Sequence, residues 1–224
     1  MSLRMPETIS RPKRLVHTMP TELVDDVYEI TCAETPNGHI RAYLVDGTHP
    51  TLFDSGLPDS TEALIEGIDA TAITPERLVI THTDQDHIGG LAAVIEKYGV
   101  ETYLPAGSEL AGERADTVYS EGDKISGFVA LHMPGHRSHQ HVLVNETREI
   151  AVLGDAVSGA DQRGLPAGYF HLPPGMYSED LILAEESVGK LLDYEFEVGL
   201  VYHGSSVTEN ARDTLEAYVG GFVD

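Results

Sequence analysis

One cysteine, Cys32, stands among 224 residues, so no internal disulfide and no cysteine-built zinc finger or ribbon can hold this chain together. Any bound metal must therefore be gripped by histidine and carboxylate. Lysine is nearly as scarce, with only Lys13, Lys97, Lys124 and Lys190. Lys and Arg together number 14 against 37 Asp and Glu, a formal net charge of −23. The acidic residues run along the whole length, and such a field disfavours nucleic acid and anionic membranes as partners. This acidic, lysine-poor balance suggests a halophilic-type composition adapted to concentrated salt, where charge is screened over about 3 Å at 1 M, with an ordinary acidic cytosolic protein as the alternative. No apolar stretch reaches the length of a signal-peptide core or a membrane span, and with the lone thiol this predicts a soluble, cytoplasmic protein. Repeats, low-complexity tracts and Pro/Gly/Ser linkers are also missing. The length fits one compact domain over residues 25–224, after a loosely ordered lead-in over 1–24 whose prolines and charges argue against a core element.

What is present alternates strands with helices. Val27 to Ala33 and Ile40 to Val45 read as strands around the turn signal Thr35-Pro36-Asn37-Gly38. A short strand, Thr51 to Phe53, stops at Asp54-Ser55-Gly56, and Ser60 to Ile68 has helical spacing. Arg77 to Thr81 reads as a buried strand, and Ile88 to Tyr98 as a helix closed by Gly99. The second half repeats the theme. Strands are expected near Ile125 to His132, His141 to Val144, Ile150 to Leu153 and Gly199 to Tyr202, with helices across Glu179 to Leu192 and Glu209 to Tyr218. The class is α/β. Residues 158–177, rich in glycine and proline, form a long loop of the kind that walls or covers a pocket, with Tyr169, Phe170, His171 and Tyr177 as its aromatic candidates.

Metal-type residues follow the apolar strands one after another. The stretch THTDQDHIGG, Thr81 to Gly90, places His82, Asp84, Asp86 and His87 after one strand. His136 follows LHMPG, Asp155 follows IAVLG, and His203 follows GLVY. Any one such histidine is more often a satisfied structural residue. Four strand-end sites in order are different, because the strand ends along one sheet edge project side chains into a common crevice.

This ordered set resembles the pattern of the metallo-β-lactamase-fold hydrolases, H-x-H-x-D-H followed by a distal His, a distal Asp and a final His. The likeness runs from about Val27 onward and takes in Asp54-Ser55-Gly56. It implies an αβ/βα four-layer sandwich of two similar halves, with two divalent metal ions at one edge: zinc first, with iron or manganese as the alternatives. Position by position, it implies His82, Asp84 and His136 on one metal, Asp86, His87 and His203 on the other, and Asp155 bridging both. The implied chemistry is hydrolysis of a small ester, lactone or thioester by a hydroxide held between the metals, with Asp86 orienting that nucleophile and passing a proton on. The partner is then a small-molecule substrate, with self-association as a homodimer left open. No serine nucleophile is needed, and neither Ser55 nor Ser205 has the strand-turn-helix setting of a hydrolase elbow. Asp54 has two readings: a partner fixing a ligand imidazole, or a plain turn or helix-capping residue.

Asp84 departs from the pattern, standing where the family usually has its second histidine. A carboxylate there raises the seven-ligand set from two negative charges to three, which is expected to weaken the metals as Lewis acids and to favour harder ions. The first site could also be looser or empty. A carboxylate at this position further suggests the alternative of a non-hydrolytic di-iron redox or oxygen-sensing protein. Arg137-Ser138-His139-Gln140-His141 departs too, since the family often continues with Thr or Ser, Pro and Gly. His139 and His141 are expected to share a strand face rather than bind metal. His17, His39, His49 and His132 are expected to be surface or packing residues.

Overall fold

The computed structural model describes residues 19–35 and 38–221. His17 and the Pro36-Asn37 centre of the first turn lie outside the described residues, as does the lead-in up to residue 18. Two large sheets and one two-stranded pair carry the chain. The first has seven strands in sequential order: β1 (Thr21–Val24), β2 (Val27–Thr35), β3 (Gly38–Val45), β4 (Thr51–Phe53), β5 (Arg77–Val79), β6 (Glu101–Pro105) and β7 (Thr117–Tyr119). Pairing is antiparallel from β1 to β4 and parallel from β4 to β7. The second sheet is built from β8 (Lys124–Ile125), β9 (Phe128–His132), β10 (His141–Asn145), β11 (Ile150–Gly154) and, after the two-stranded pair β12 (Ser158–Gly159) and β13 (Phe170–His171), β14 (Val198–Val201). Its order is β14-β11-β10-β9-β8, and only β11 and β14 run parallel.

Strand periodicity makes the layers. Along β3, Tyr43 and Val45 enter a core shared with the second sheet, while Ala42 and Leu44 enter a different core on the outer face. Along β11, Ile150 and Val152 face the first sheet, and Ala151 and Leu153 face away. A strand buried on both faces must read as a continuous apolar run, as IAVLG does. Phe53 and Phe128 meet edge to face across the sheets with centroids 5.0 Å apart. Helices α1 (Thr61–Thr71), α3 (Leu91–Tyr98) and the short α4 (Ala111–Arg114) cover the outer face of the first sheet. Helices α5 (Leu181–Val188) and α6 (Ala211–Gly220) cover that of the second. The result is the four-layer αβ/βα sandwich, one sheet and its helices from each half.

Several expectations change. The strand expected near Ile125 to His132 is a hairpin of β8 and β9, and His139, expected to share a strand face with His141, lies in the turn before β10. Thr21–Val24, assigned to the lead-in, is an edge strand on β2. The helix expected over Glu179 to Leu192 is α5 from Leu181 followed by a 3-10 turn, Gly189–Asp193, tightened after the glycine. The helix expected over Ile88 to Tyr98 is broken into α2 (Gln85–Ile88) and α3. The break has a packing cause. A Cβ at Gly89 would lie 2.1 Å from the Leu57 carbonyl carbon and the Pro58 nitrogen, and one at Gly90 would lie 2.5 Å from the Ser55 carbonyl oxygen. Two backbones touch here. Gly89 N–H donates to Gly56 O at 2.7 Å, Gly90 N–H to Ser55 O at 2.9 Å, and Ser55 N–H to His87 O at 2.7 Å. These bonds set Asp54 beside His87.

Candidate metal centre

The loop after β5, the turn after β9, the end of β11 and the end of β14 all open at one edge of the sandwich. All seven residues singled out by their strand-end positions meet there. His82, His136 and Asp155 each offer one ligand-type atom within 4.8 Å of the others, and so do Asp86, His87 and His203. Asp155 lies between the groups: its Oδ1 is 3.6 Å from His87 Nε2, and its Oδ2 is 3.5 Å from His136 Nε2 and 3.4 Å from His203 Nε2. Asp84 falls outside both tight groups, yet its Oδ2 is 3.4 Å from His136 Nε2 and 3.8 Å from His82 Nε2.

Several polar atoms at this centre are buried with nothing in the protein to bond. They are Nε2 of His82, His87 and His136, and Oδ1 of Asp155. Leaving such groups desolvated costs about 1–3 kcal/mol each, and imidazole nitrogens gathered in two groups around the Asp155 carboxylate are a donor set that fits cations. The opposite ring nitrogens are engaged. Asp54 Oδ2 faces His87 Nδ1 at 2.9 Å and accepts from the Thr81 hydroxyl at 2.8 Å, while its Oδ1 accepts from the Thr81 N–H at 2.8 Å. As a carboxylate Asp54 can only accept, so Nδ1 of His87 carries the proton and Nε2 keeps its lone pair when the ring is neutral. The Thr81 hydroxyl, its one proton given to Asp54, can only accept from His82 Nδ1 at 3.2 Å. His82 is thereby held in the same tautomer. Both rings are buried and fit a cation approached through Nε2.

This geometry speaks against the helix-capping role for Asp54 and puts its carboxylate in contact with an imidazole. Helix α1 starts at Thr61, too far along for Asp54 to cap it. Asp54 instead sits at φ 59°, a left-handed conformation that aspartate tolerates better than most residues, with its carboxylate turned onto His87 and Thr81. Asp54→Ala should weaken metal binding by roughly 10–100-fold while His82, His136 and Asp155 stay in place. Metal competition with a chromophoric chelator measures it, and unchanged affinity would show that Asp54 is only a turn residue.

The electrostatics follow from burial and neighbours. Burial pushes His82 well below 6.5, and the adjoining His87 adds to this. Burial alone would also depress His87, but the Asp54 and Asp155 carboxylates outweigh it and hold His87 well above 6.5. His203 is lifted to about 9 against its own burial, by Asp155 and then Asp86. Asp155 stays well below the usual carboxylate range, because His203 and His87 outweigh the burial that would raise it.

Some groups at this edge carried no readable signal of their own. Tyr202, the residue before His203, stacks on the His87 ring with centroids 3.7 Å apart, and its hydroxyl donates to the Asp86 carbonyl. Arg41, 5 % exposed, pairs with Glu29 at 2.9 Å and donates to the Gly204 carbonyl behind His203. His139 is outside the ligand groups: its Nε2 accepts from the Thr83 N–H at 3.1 Å, bracing the loop between His82 and Asp84. His141 packs edge-on against Tyr119. His39 and His49 pair with Glu34 and Glu76, and His132 Nε2 lies 2.8 Å from the Ser138 carbonyl.

A cavity of about 590 Å³ opens over the cluster, walled by Ile40, Gln162, Arg163, Pro173, Met176 and Tyr177 among others. The 158–177 segment therefore does form a pocket wall, but not through most of its aromatics. Tyr177 lines the cavity. Phe170 is buried in the core beneath the second sheet, His171 is bound through Nδ1 to the Leu172 carbonyl, and Tyr169 is 60 % exposed outside the lining.

A four-layer sandwich with paired His/Asp clusters at one edge defines a class, and sequence comparison agrees with it. The metallo-beta-lactamase superfamily profile matches residues 35–215, and the chain belongs to that superfamily. It is similar to a probable metallo-hydrolase, YflN, of Bacillus subtilis, 24% identical over 213 residues covering 73% of this chain and 79% of that one. It is also similar to a hydroxyacylglutathione hydrolase of Serratia proteamaculans, 32% identical over 84 residues. That match covers 35% of this chain and only 33% of the relative. Among solved structures, BJP-1, a subclass B3 metallo-beta-lactamase of Bradyrhizobium japonicum, superposes with a TM-score of 0.66 at 17% identity, over 91% of this chain and 90% of that one.

Proposed function

We propose that this protein is a metal-dependent hydrolase of a small ester, lactone or thioester. The single observation that carries the reading is the convergence of bare Nε2 atoms from His82, His87 and His136 on the carboxylate of Asp155, all four residues buried. His82, His136 and Asp155, with Asp84 alongside, would hold one divalent cation, and Asp86, His87, His203 and Asp155 a second, zinc being the ion best suited to so many imidazoles. Two such cations supply Lewis acidity and bring a water toward ionisation near neutral pH.

The rest falls to the chain itself. Asp86, mostly buried but reaching the cavity, with its Oδ2 3.4 Å from His203 Nε2, is placed to accept a proton from the attacking water and deliver it to the leaving group. Asp54, Thr81 and Tyr202 keep the imidazoles aimed, so that little reorganisation accompanies reaction. Pro173, Met176 and Tyr177 give the cavity an apolar wall, and Arg163 sets a cation at its rim. The names carried by the relatives support hydrolysis over the redox alternative. The direct test is a panel of lactones, esters and thioesters with zinc or manganese supplied: turnover that a chelator removes and metal restores supports the reading, and activity untouched by the chelator refutes it.

A pH dependence follows from the two raised histidines. In the metal-free protein at pH 7, His203 carries a proton that a cation binding through Nε2 must displace, and the carboxylates beside His87 favour its protonated form in the same way. Affinity for zinc should therefore rise as pH climbs toward about 9, where His203 loses its proton unaided, and His87, shifted in the same direction, adds to the rise. In the metal-free state the sign for stability is opposite: the His203 contacts with Asp155 and Asp86 contribute fully below 6.5 and fade as pH rises through about 9. Calorimetry in two buffers of different ionisation enthalpy reads the released protons. Binding without proton release would contradict the assignment.

A further inference from the structure

The two places where the sequence leaves the superfamily pattern, Asp84 and Arg137, lie 53 positions apart and touch. Arg137 Nε donates to Asp84 Oδ1 at 2.6 Å, and its Nη2 meets Oδ2, also at 2.6 Å. This is the two-pronged fork in which a guanidinium matches a carboxylate best. Nη1 donates at 2.8 Å to the carbonyl of His136 and at 2.8 Å to that of Tyr177, on the cavity wall. The oxygen gripped by Nη2 is the same Oδ2 that faces His136 and His82 at 3.4 and 3.8 Å. Both side chains are about three-quarters buried, 25 % exposed, and both line the cavity.

We propose that Arg137 and Asp84 act as one unit, in which the guanidinium is the positioning residue that allows a carboxylate to stand at this ligand position. It takes up the charge that the carboxylate adds, so the set around the cations returns from three net negative charges to two, as it would be with a histidine there and no arginine. It also aims Oδ2 at the two imidazoles. The expected loss of Lewis acidity from Asp84 is thereby offset within the protein. The inference rests on the metal site proposed above.

The competing explanation is a brace: Arg137 would serve only to tie His136 and Tyr177 together through their carbonyls. The two make opposite predictions for a double substitution. With Asp84→His alone, Arg137 loses its carboxylate and stands as an unmatched cation beside the metals. Zinc affinity should then fall by about tenfold or more, with one equivalent lost. Adding Arg137→Gln to that variant removes the unmatched charge, and both the affinity and the second equivalent should return. A pure brace predicts that the double variant is worse than the single.

The measurement is zinc titration of metal-free protein against a chromophoric chelator, with ion counts by emission spectrometry and circular dichroism to verify folding. Should Asp84→His fail to fold, Asp84→Asn with and without Arg137→Gln makes the same change of charge; the amide is a poorer ligand, so the expected recovery is partial, with the double variant binding zinc more tightly than the single. Restoration in the double variant supports the unit. A single Asp84 variant that binds like wild type, or a double variant no better than the single, overturns it. Wild type that binds no zinc refutes the metal site itself, whereas wild type with two zinc ions and a flat cycle refutes only the pairing.

Discussion

Asp155→Ala is expected to lower bound metal from two ions per chain to one or none and to reduce turnover by at least about 10³-fold, or ~4 kcal/mol of transition-state stabilisation. Among the described residues, Asp155 is the one carboxylate whose two oxygens face imidazoles from both clusters, His87 on one side and His136 and His203 on the other. Without it, any two cations at this edge would repel with no anion of the protein between them. The buried rings would also lose the countercharge that holds His203 near 9. His87→Ala should act the same way through the second cluster. Folding is a separate readout, because Asp155 sits at the end of β11 and the apolar run before it, not the carboxylate, fills the cores. An Asp155→Ala protein that keeps both ions and its turnover would remove the basis for a bridging role.

The second large effect is expected from a methyl group. Gly89→Ala would place a Cβ 2.1 Å from backbone atoms of Leu57 and Pro58, a separation at which one of the two chains must move. Backbone cannot yield as a flexible side chain can, so the cost should exceed about 3 kcal/mol. The displacement is local and falls on the bonds that join Ser55 and Gly56 to His87, Gly89 and Gly90. Metal affinity should drop along with stability, since His87 would shift away from Asp54. Alanine at Gly99, which meets nothing within 4 Å, serves as the comparison: its φ of 66° makes alanine strained there, but no ligand lies on that turn. Thermal unfolding with and without zinc separates the two: Gly89→Ala should lose stability and zinc response together, Gly99→Ala stability alone.

These sites differ in how openly the sequence displays them. The apolar runs that end in His82, His136, Asp155 and His203 announce both the strands and their functional ends, because a strand buried on two faces leaves only its terminus free for chemistry. Short pieces were less legible. Glu101–Pro105 and Thr117–Tyr119 become strands only through their parallel neighbours, and nothing in ETYLP or TVY requires it. The break at Gly89-Gly90 was invisible for another reason: it is imposed by a second backbone, more than thirty residues earlier, which no local periodicity encodes. Arg137 read as a mismatch and Asp84 as a weakness. Only their contact shows that one answers the other. Tyr202 and Arg41 belong to the same class, positioned by apolar or buried surroundings and acting on the ligands from behind.

A cation count tests the metal centre most directly. Protein purified without chelators, its divalent metal quantified by plasma emission spectrometry against an absorbance-derived chain concentration, should hold two ions per chain, and turnover and ions should disappear together on chelation and return together with zinc. A protein that carries no divalent ion under these conditions, takes up none when zinc is supplied, or keeps full activity after its metal is stripped would contradict it.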